Sequence, residues 1–301
     1  MIQTMRIGGA VYSKVILGTS YFGTRQPEED AFALLDRYYA LGGRSVDTAR
    51  CYGAWDGDLG AAERTVGRWL ALRKPDDVTV ITKGAHPEAG HMDIPRLDRE
   101  SIFADAAASV EALGRVPELW FLHRDDVTRP VEEIAETLTA LYERGYVKDV
   151  GASNWHTVRI EAYNTYAQSH GLRSFAASQI QWSLARTTPE AYGDPTLVCM
   201  DDGEYAWYKA HAFPVLAFSS QAKGFFSKAI AGGPEALSEK ARARFATPEN
   251  LEKLAWVREE CARTGERPAQ VVLRYLTDSE VPTCAIIGSS QMEQLVDSIG
   301  S

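Results

Sequence analysis

Four residues carry side chains that, if gathered into one cleft, could hand a proton to a substrate oxygen: Asp47, Tyr52, Lys83 and His123. A phenol, with an ordinary pKa of ~10, donates poorly near neutrality unless something stabilises the anion it leaves. A lysine ammonium in a low-dielectric cleft does that, and a carboxylate beside it keeps the ammonium charged and aimed. Tyr52, Lys83 and Asp47 supply these three groups. His123 could orient the substrate oxygen or help pass the proton. Singly, each is an ordinary strand-end or loop residue. Their common setting gives them weight: Arg44-Ser45-Val46 runs into Asp47, Val78-Thr79-Val80-Ile81-Thr82 runs into Lys83, Leu119-Trp120-Phe121-Leu122 runs into His123, and Tyr52 follows Asp47 by five residues. If those runs are parallel neighbouring strands, all four groups reach one rim.

The elements needed to position them recur along the chain. A hairpin is expected over residues 5–13, turning at Gly8-Gly9 and able to plug one end of a barrel. Buried strands are expected at 15–19, 44–48, 78–82, 118–122, 147–152, 175–180, 215–218 and 284–287. Helices alternate with them at 28–41, 59–72, 99–113, 131–144, 156–170, 204–211, 249–264 and 268–277, several closed by Gly. In the first, Phe32, Leu35 and Tyr39 are the expected apolar face. Eight strands alternating with helices point to an α/β fold, a (β/α)8 TIM barrel with an N-terminal β-hairpin, whose active site lies at the C-terminal strand ends. No linker divides residues 1–301, so one domain is expected. Long insertions at 182–203 and 219–248 lie on the site face.

A formal charge of -9 argues against a nucleic-acid partner, which draws its affinity from Lys and Arg on phosphates. No apolar run reaches the ~18 residues of a membrane span, and the start lacks a signal-peptide core, so a cytoplasmic protein is expected. Four cysteines with no C-x-x-C pair suit a reducing compartment. His86 and His91, with Asp93, are read as a surface loop and not a metal site, because His-x4-His matches no common ligand spacing. No G-x-G-x-x-G, P-loop or H-E-x-x-H occurs.

Taken together, Gly18-Thr19-Ser20-Tyr21-Phe22-Gly23, Asp47-Thr48-Ala49 with Tyr52-Gly53, Thr82-Lys83 and Leu122-His123-Arg124-Asp125-Asp126 resemble the aldo-keto reductases. The similarity runs on through Gly151-Ala152-Ser153-Asn154-Trp155, Gln179-Ile180-Gln181-Trp182-Ser183-Leu184, Ala217-Phe218-Ser219-Ser220, and Gly288-Ser289-Ser290 with Glu293-Gln294-Leu295, covering nearly the whole chain in order. The resemblance implies a metal-independent reduction of an aldehyde or ketone, with Tyr52 as general acid, Lys83 and Asp47 tuning it, and His123 positioning the carbonyl.

It also implies an extended nicotinamide cofactor, NADPH with NADH as the alternative. Ser153, Asn154 and Gln179 would hold the carboxamide, and Phe218 stands where the family places a stacking ring, commonly tyrosine. Ser219, Gln221, Gly224, Gly288, Ser289, Ser290 and Gln294 fall where the pyrophosphate and adenosine are bound. The Lys and Arg that many members carry near the eighth strand to grip a 2'-phosphate are replaced here by Gly288-Ser289-Ser290 and Gln294. Lys228, Arg242 or Arg244 could supply the cation instead. Tyr21, Trp55 and Trp182 are expected at the substrate mouth, with Trp155 as a further candidate. Arg124-Asp125-Asp126 and Asp56 make that rim polar, a hint of a hydroxylated, sugar-like substrate. The partner is then a small carbonyl or alcohol, and oligomeric state stays open. Members of the family often carry a further tail beyond the position of Ser301 that folds over the substrate, so either the mouth is open here or another element closes it. A cofactor-binding regulatory subunit, resembling the potassium-channel beta subunits, is the alternative with little turnover.

Overall fold

The computed structural model describes residues 2–300. The chain end at Ser301 lies outside the described residues. A two-stranded antiparallel hairpin, β1 (Thr4–Ile7) and β2 (Ala10–Ser13), precedes eight parallel strands: β3 (Val15–Gly18), β4 (Ser45–Asp47), β5 (Thr79–Gly84), β6 (Leu119–Leu122), β7 (Val150–Ser153), β8 (Ser178–Gln181), β9 (Val215–Phe218) and β10 (Thr283–Ile287). Each of the eight pairs with the next in sequence, and β10 pairs back onto β3 through Ala285 and Val15, closing the barrel.

Between the strands run α1 (Glu28–Ala40), α2 (Ala61–Arg73), α3 (Arg99–Leu113), α4 (Val131–Glu143) and α5 (Thr157–Ser169). The insertion after β8 holds α6 (Pro189–Tyr192) and leads to α7 (Asp202–His211); the one after β9 holds α8 (Phe225–Gly232) and α9 (Glu239–Phe245). Three further helices follow, α10 (Pro248–Thr264), α11 (Pro268–Thr277) and, after β10, α12 (Met292–Ile299). The insertions are thus partly helical. Thr188 and Ser238 cap α6 and α9 through their side chains, short-range signals inside segments too brief for apolar periodicity to reveal.

Side chains alternate across each strand, so one register choice decides what fills the barrel. Ile16, Ile81, Leu119, Phe121, Ala177, Leu216, Cys284 and Ile286 share one buried cluster, while Leu17, Val46 and Val80 pack outward with the helices. Two residues beyond Ile81 on the same strand face stands Lys83; two beyond Phe121 stands His123. The interior is apolar low down and polar at its C-terminal end. Gly151 makes room for this layering, since a Cβ there would lie 2.4 Å from the Phe121 ring.

The hairpin closes the opposite end. Ile7 and Tyr12 join the barrel-interior cluster, Ser13 N donates to Ser45 Oγ, and Gly9 N donates to Asp149 Oδ2. Gly8 turns at φ +52°, with the Asp149 carboxylate where a Cβ would sit, so only glycine fits.

In α1 the buried face is Ala31, Leu34, Leu35 and Tyr38, and the expected Phe32 and Tyr39 lie half-buried at its flank. Tyr38 takes the inward place because its hydroxyl donates to Val15 O and its ring occupies the space of the missing Gly43 Cβ. Tyr39 instead bonds Asp77 and stacks on Arg44. Phe175, expected within the sixth barrel strand, precedes the ladder and stacks on Tyr163 at 3.7 Å. Among the described residues no helix is long and apolar enough to cross a membrane.

Candidate active site

Lys83, 1% exposed, stands at the C-terminal end of β5 facing the barrel interior. Its Nζ donates to Asp47 Oδ2 at 2.8 Å, to Thr48 O at 2.7 Å and to the Tyr52 hydroxyl at 3.1 Å, using all three hydrogens. Asp47 Oδ1 accepts from Gln179 Nε2 at 2.9 Å. Tyr52 reaches this point because the chain beyond β4 first extends the ladder, Thr48 N bonding Ile81 O and Arg50 N bonding Lys83 O, then turns with Tyr52 N on Ala49 O and Gly53 at φ +97°. Asp47, Tyr52 and Lys83 are therefore brought together.

Burial decides the electrostatics of the group. It pushes the Tyr52 phenol up to about 12, although the Lys83 ammonium pulls the other way. Burial alone would lower Lys83, but the charge and hydrogen bond of Asp47, with Tyr52, outweigh it and leave the ammonium above its usual range. The expected lowering of the phenol by lysine is thus outweighed by desolvation, which disfavours every charged form in a dry cleft. Tyr52 stays protonated at neutral pH, and the cation beside it acts on the anion that proton loss creates.

His123 lies next to them, its ring 6.0 Å from that of Tyr52 and edge-on to it. Its Nδ1 is 3.4 Å from Cys51 Sγ, and its ring centroid is 4.7 Å from that of His86. Burial, then the neighbouring His86, Arg124 and Lys83, hold it well below the ordinary imidazole range, so it is neutral. His86 corrects the reading of its loop as surface: it is buried, and Trp55 packs edge-on against it at 5.4 Å. His91 is exposed, as that reading had it. Nothing in the spacing of His86 marks it. Its place two residues beyond the end of β5 puts it on the same rim, and Cys51, one residue before Tyr52, was missed for the same reason.

Ser153, Asn154 and Gln179 form a polar row at the ends of β7 and β8. Ser153 Oγ donates to Gln179 O, and the amide of Gln179 is turned to Asp47. Asn154, at φ +59°, spends both Nδ2 hydrogens on His123 O and Ser153 Oγ, while its Oδ1 accepts from Val198 N. It braces the rim from within the protein. Phe218 closes β9 with its ring half-buried. Beyond it Ser219, Ala222, Lys223 and Gly224 all take positive φ, a contorted loop feeding the N-terminus of α8. Gln221 Nε2 donates to Ser298, and Gln294 accepts from Ser290 N. A Cβ at Gly288 would meet nothing within 4 Å, so the backbone faces open space there.

The cations sort differently from expectation. Arg242 pairs with Glu235, and Lys228 Nζ turns to Lys223 O. Arg244 lies over the Tyr192 ring at 4.3 Å. Lys223, missed in the sequence, is an exposed residue of the loop before α8, near enough to Arg244 for the two charges to repel.

Of the residues expected at the mouth, Tyr21 and Trp55 are exposed, whereas Trp182 is 3% exposed and packs edge-on to Tyr205 and Tyr275. Trp155 is buried against Tyr163 and Phe175. Neither is at the mouth, because both point out of the barrel into the helix layer. The charges read as a polar rim are spoken for: Asp125 by Arg159, Arg124 by Asp194, Asp56 by Arg25 and Asp126 by Thr128.

The model of the Aldo/keto reductase family matches residues 14–301. The chain belongs to the aldo/keto reductase family. Similar proteins include the uncharacterized oxidoreductase YrpG of Bacillus subtilis (strain 168), 29% identical over 306 residues, which are 97% of this chain and 87% of that protein. Norsolorinic acid reductase B of Aspergillus parasiticus is 32% identical over 206 residues, 64% of this chain and 52% of its own. Norsolorinic acid reductase stcV of Emericella nidulans is 27% identical over 312 residues, 98% of this chain and 75% of its own. As an aldo/keto reductase the protein is an NAD(P)H-dependent oxidoreductase.

Residues of this aldo/keto reductase fit a dinucleotide along the rim: the polar ends of β7 and β8, the half-buried Phe218 ring, the contorted loop after β9 and the open backbone at Gly288.

Proposed function

We propose that this aldo/keto reductase, acting as a single barrel domain in the cytoplasm, reduces an aldehyde or ketone to an alcohol with NADPH. The observation that carries the reading is the buried Lys83 ammonium, 2.8 Å from Asp47 and 3.1 Å from the Tyr52 hydroxyl at the C-terminal rim of the barrel. The bound dinucleotide supplies hydride. Tyr52 donates the proton, and Lys83 stabilises the phenolate left behind while Asp47 keeps Lys83 charged and aimed. A phenol raised to about 12 is in its donor form throughout the neutral range, which suits reduction better than oxidation. His123, neutral, hydrogen-bonds the carbonyl oxygen.

Ser153 and the free oxygen of Gln179 hold the carboxamide, with Phe218 against the ring. Lys223 and Arg244 together supply the cations for a phosphate, which favours NADPH over NADH. Tyr21 and Trp55 line the entrance. With the rim charges already paired, we assign the substrate no further than a small carbonyl compound.

Tyr52→Phe is expected to quench its fluorescence with NADPH as the parent protein does, while kcat against a carbonyl panel falls by roughly two to four orders of magnitude. Near-parental turnover in that variant would rule Tyr52 out as the acid.

A further inference from the structure

We propose that Cys51, His86 and His123 form a binding site for a borderline-soft divalent cation of the zinc class. One ligand atom from each lies within 4.8 Å of the other two, and all three residues are buried. Thiol and imidazole are the donors such ions select over magnesium or calcium. One pair is already at ligand spacing. With Zn–S ≈ 2.3 Å and Zn–N ≈ 2.0–2.1 Å at a tetrahedral angle, sulfur and nitrogen on one ion stand ~3.6 Å apart, and Cys51 Sγ is 3.4 Å from His123 Nδ1. No gap between the three ligand atoms exceeds 4.8 Å, and a tetrahedral ion held by three side chains keeps a fourth position for water or another ligand.

His86 is oriented for the task. Its Nδ1 lies 2.7 Å from Pro87 O, and a carbonyl can only accept, so Nδ1 carries the hydrogen and Nε2 keeps its lone pair. A backbone carbonyl on the far nitrogen is the usual way a metal-binding histidine is held. A neutral imidazole ligates through a ring lone pair, so neither histidine must lose a proton. Binding therefore releases one proton to solvent, from the Cys51 thiol, as the thiolate–metal bond forms. Three cations face the site, and each has its own counter-charge: Lys83 is bonded to Asp47, Arg124 to Asp194 and Arg96 to Asp105.

His123 belongs to both this site and the proposed carbonyl site, so a bound ion ties it up. The test needs neither cofactor nor substrate, and its failure is separate from failure of the proposed function. Cobalt(II) added to the metal-free chain is expected to give, at one equivalent, the intense visible bands of a tetrahedral ion and a thiolate-to-cobalt charge-transfer band. Zn2+ should displace it and Mg2+ should not. Cys51→Ser is expected to lose the charge-transfer band, and His86→Ala, or His86→Gln if alanine fails to fold, to weaken binding at least tenfold. A cobalt spectrum like that of the aqueous ion, or unchanged binding in the Cys51→Ser/His86→Gln double variant, would overturn the site.

Discussion

At the scale of single residues, the chemistry depends on charges buried in pairs. Replacing Lys83 by Met leaves the Asp47 carboxyl in a dry cleft with only Gln179 to bond its side chain, and a broken buried pair costs about 3–5 kcal/mol. Urea unfolding should show that loss, and Asp47→Asn added to Lys83→Met should restore most of it; equal midpoints for single and double variants would contradict the pairing. Glu63 shows the opposite case, a buried carboxylate with no cation bonded to it among the described residues. Burial raises it from 4.5 to about 7 against hydrogen bonding that works the other way. The folded state then holds the proton more tightly than the unfolded chain, so stability falls as pH rises from about 4.5 to about 7, by on the order of 3 kcal/mol. Glu63→Gln lacks this loss. Its stability relative to the parent should grow between about pH 5 and pH 8, as read by urea titration at each pH. Of the site residues, Asp47, Lys83 and His123 were legible because each directly ends a run with strand character. His86 and Cys51 terminate nothing; each stands in a loop and enters the site only through a neighbour in space.

At the scale of elements, β-strand periodicity explains both why the barrel is apolar below and why it is polar above. The strands read from composition agree with those observed to within a few residues, β9 without any shift. Helix packing was less legible. Gly67 in α2 lies so close to α3 that a Cβ would come 2.0 Å from Ala112 O. Ala favours a helix interior by about 1 kcal/mol over Gly, yet backbone cannot yield as a side chain does. Gly67→Ala is therefore expected to destabilise by about 1–3 kcal/mol; a thermal midpoint at or above the parent's would show that α2 and α3 can move apart. The misplaced face of α1 and the outward Trp182 have the same origin, since an apolar residue says that something covers it but not which neighbour does.

For the whole molecule, the closed barrel separates stability from function by end. The hairpin seals the N-terminal end with Tyr12, whose hydroxyl is buried there without a hydrogen-bond partner among the described residues, while the proposed chemistry occupies the other end. Tyr12→Phe removes an unpaired polar atom and should stabilise the fold by about 1 kcal/mol, with NADPH-dependent turnover unchanged. A fall in turnover would mean that the two ends are coupled through the barrel. The sequence by itself determined the barrel, the plugging hairpin and the strand ends carrying Asp47, Lys83 and His123, because repeated strand and helix patterns are local and strand alternation fixes which residues share a face. Only the tertiary structure decided that desolvation outweighs lysine at Tyr52, that Trp182 faces the helices, and that Cys51 and His86 meet His123. Those outcomes depend on dielectric surroundings and on distances between segments far apart in the chain, and neither is written in any local run of residues.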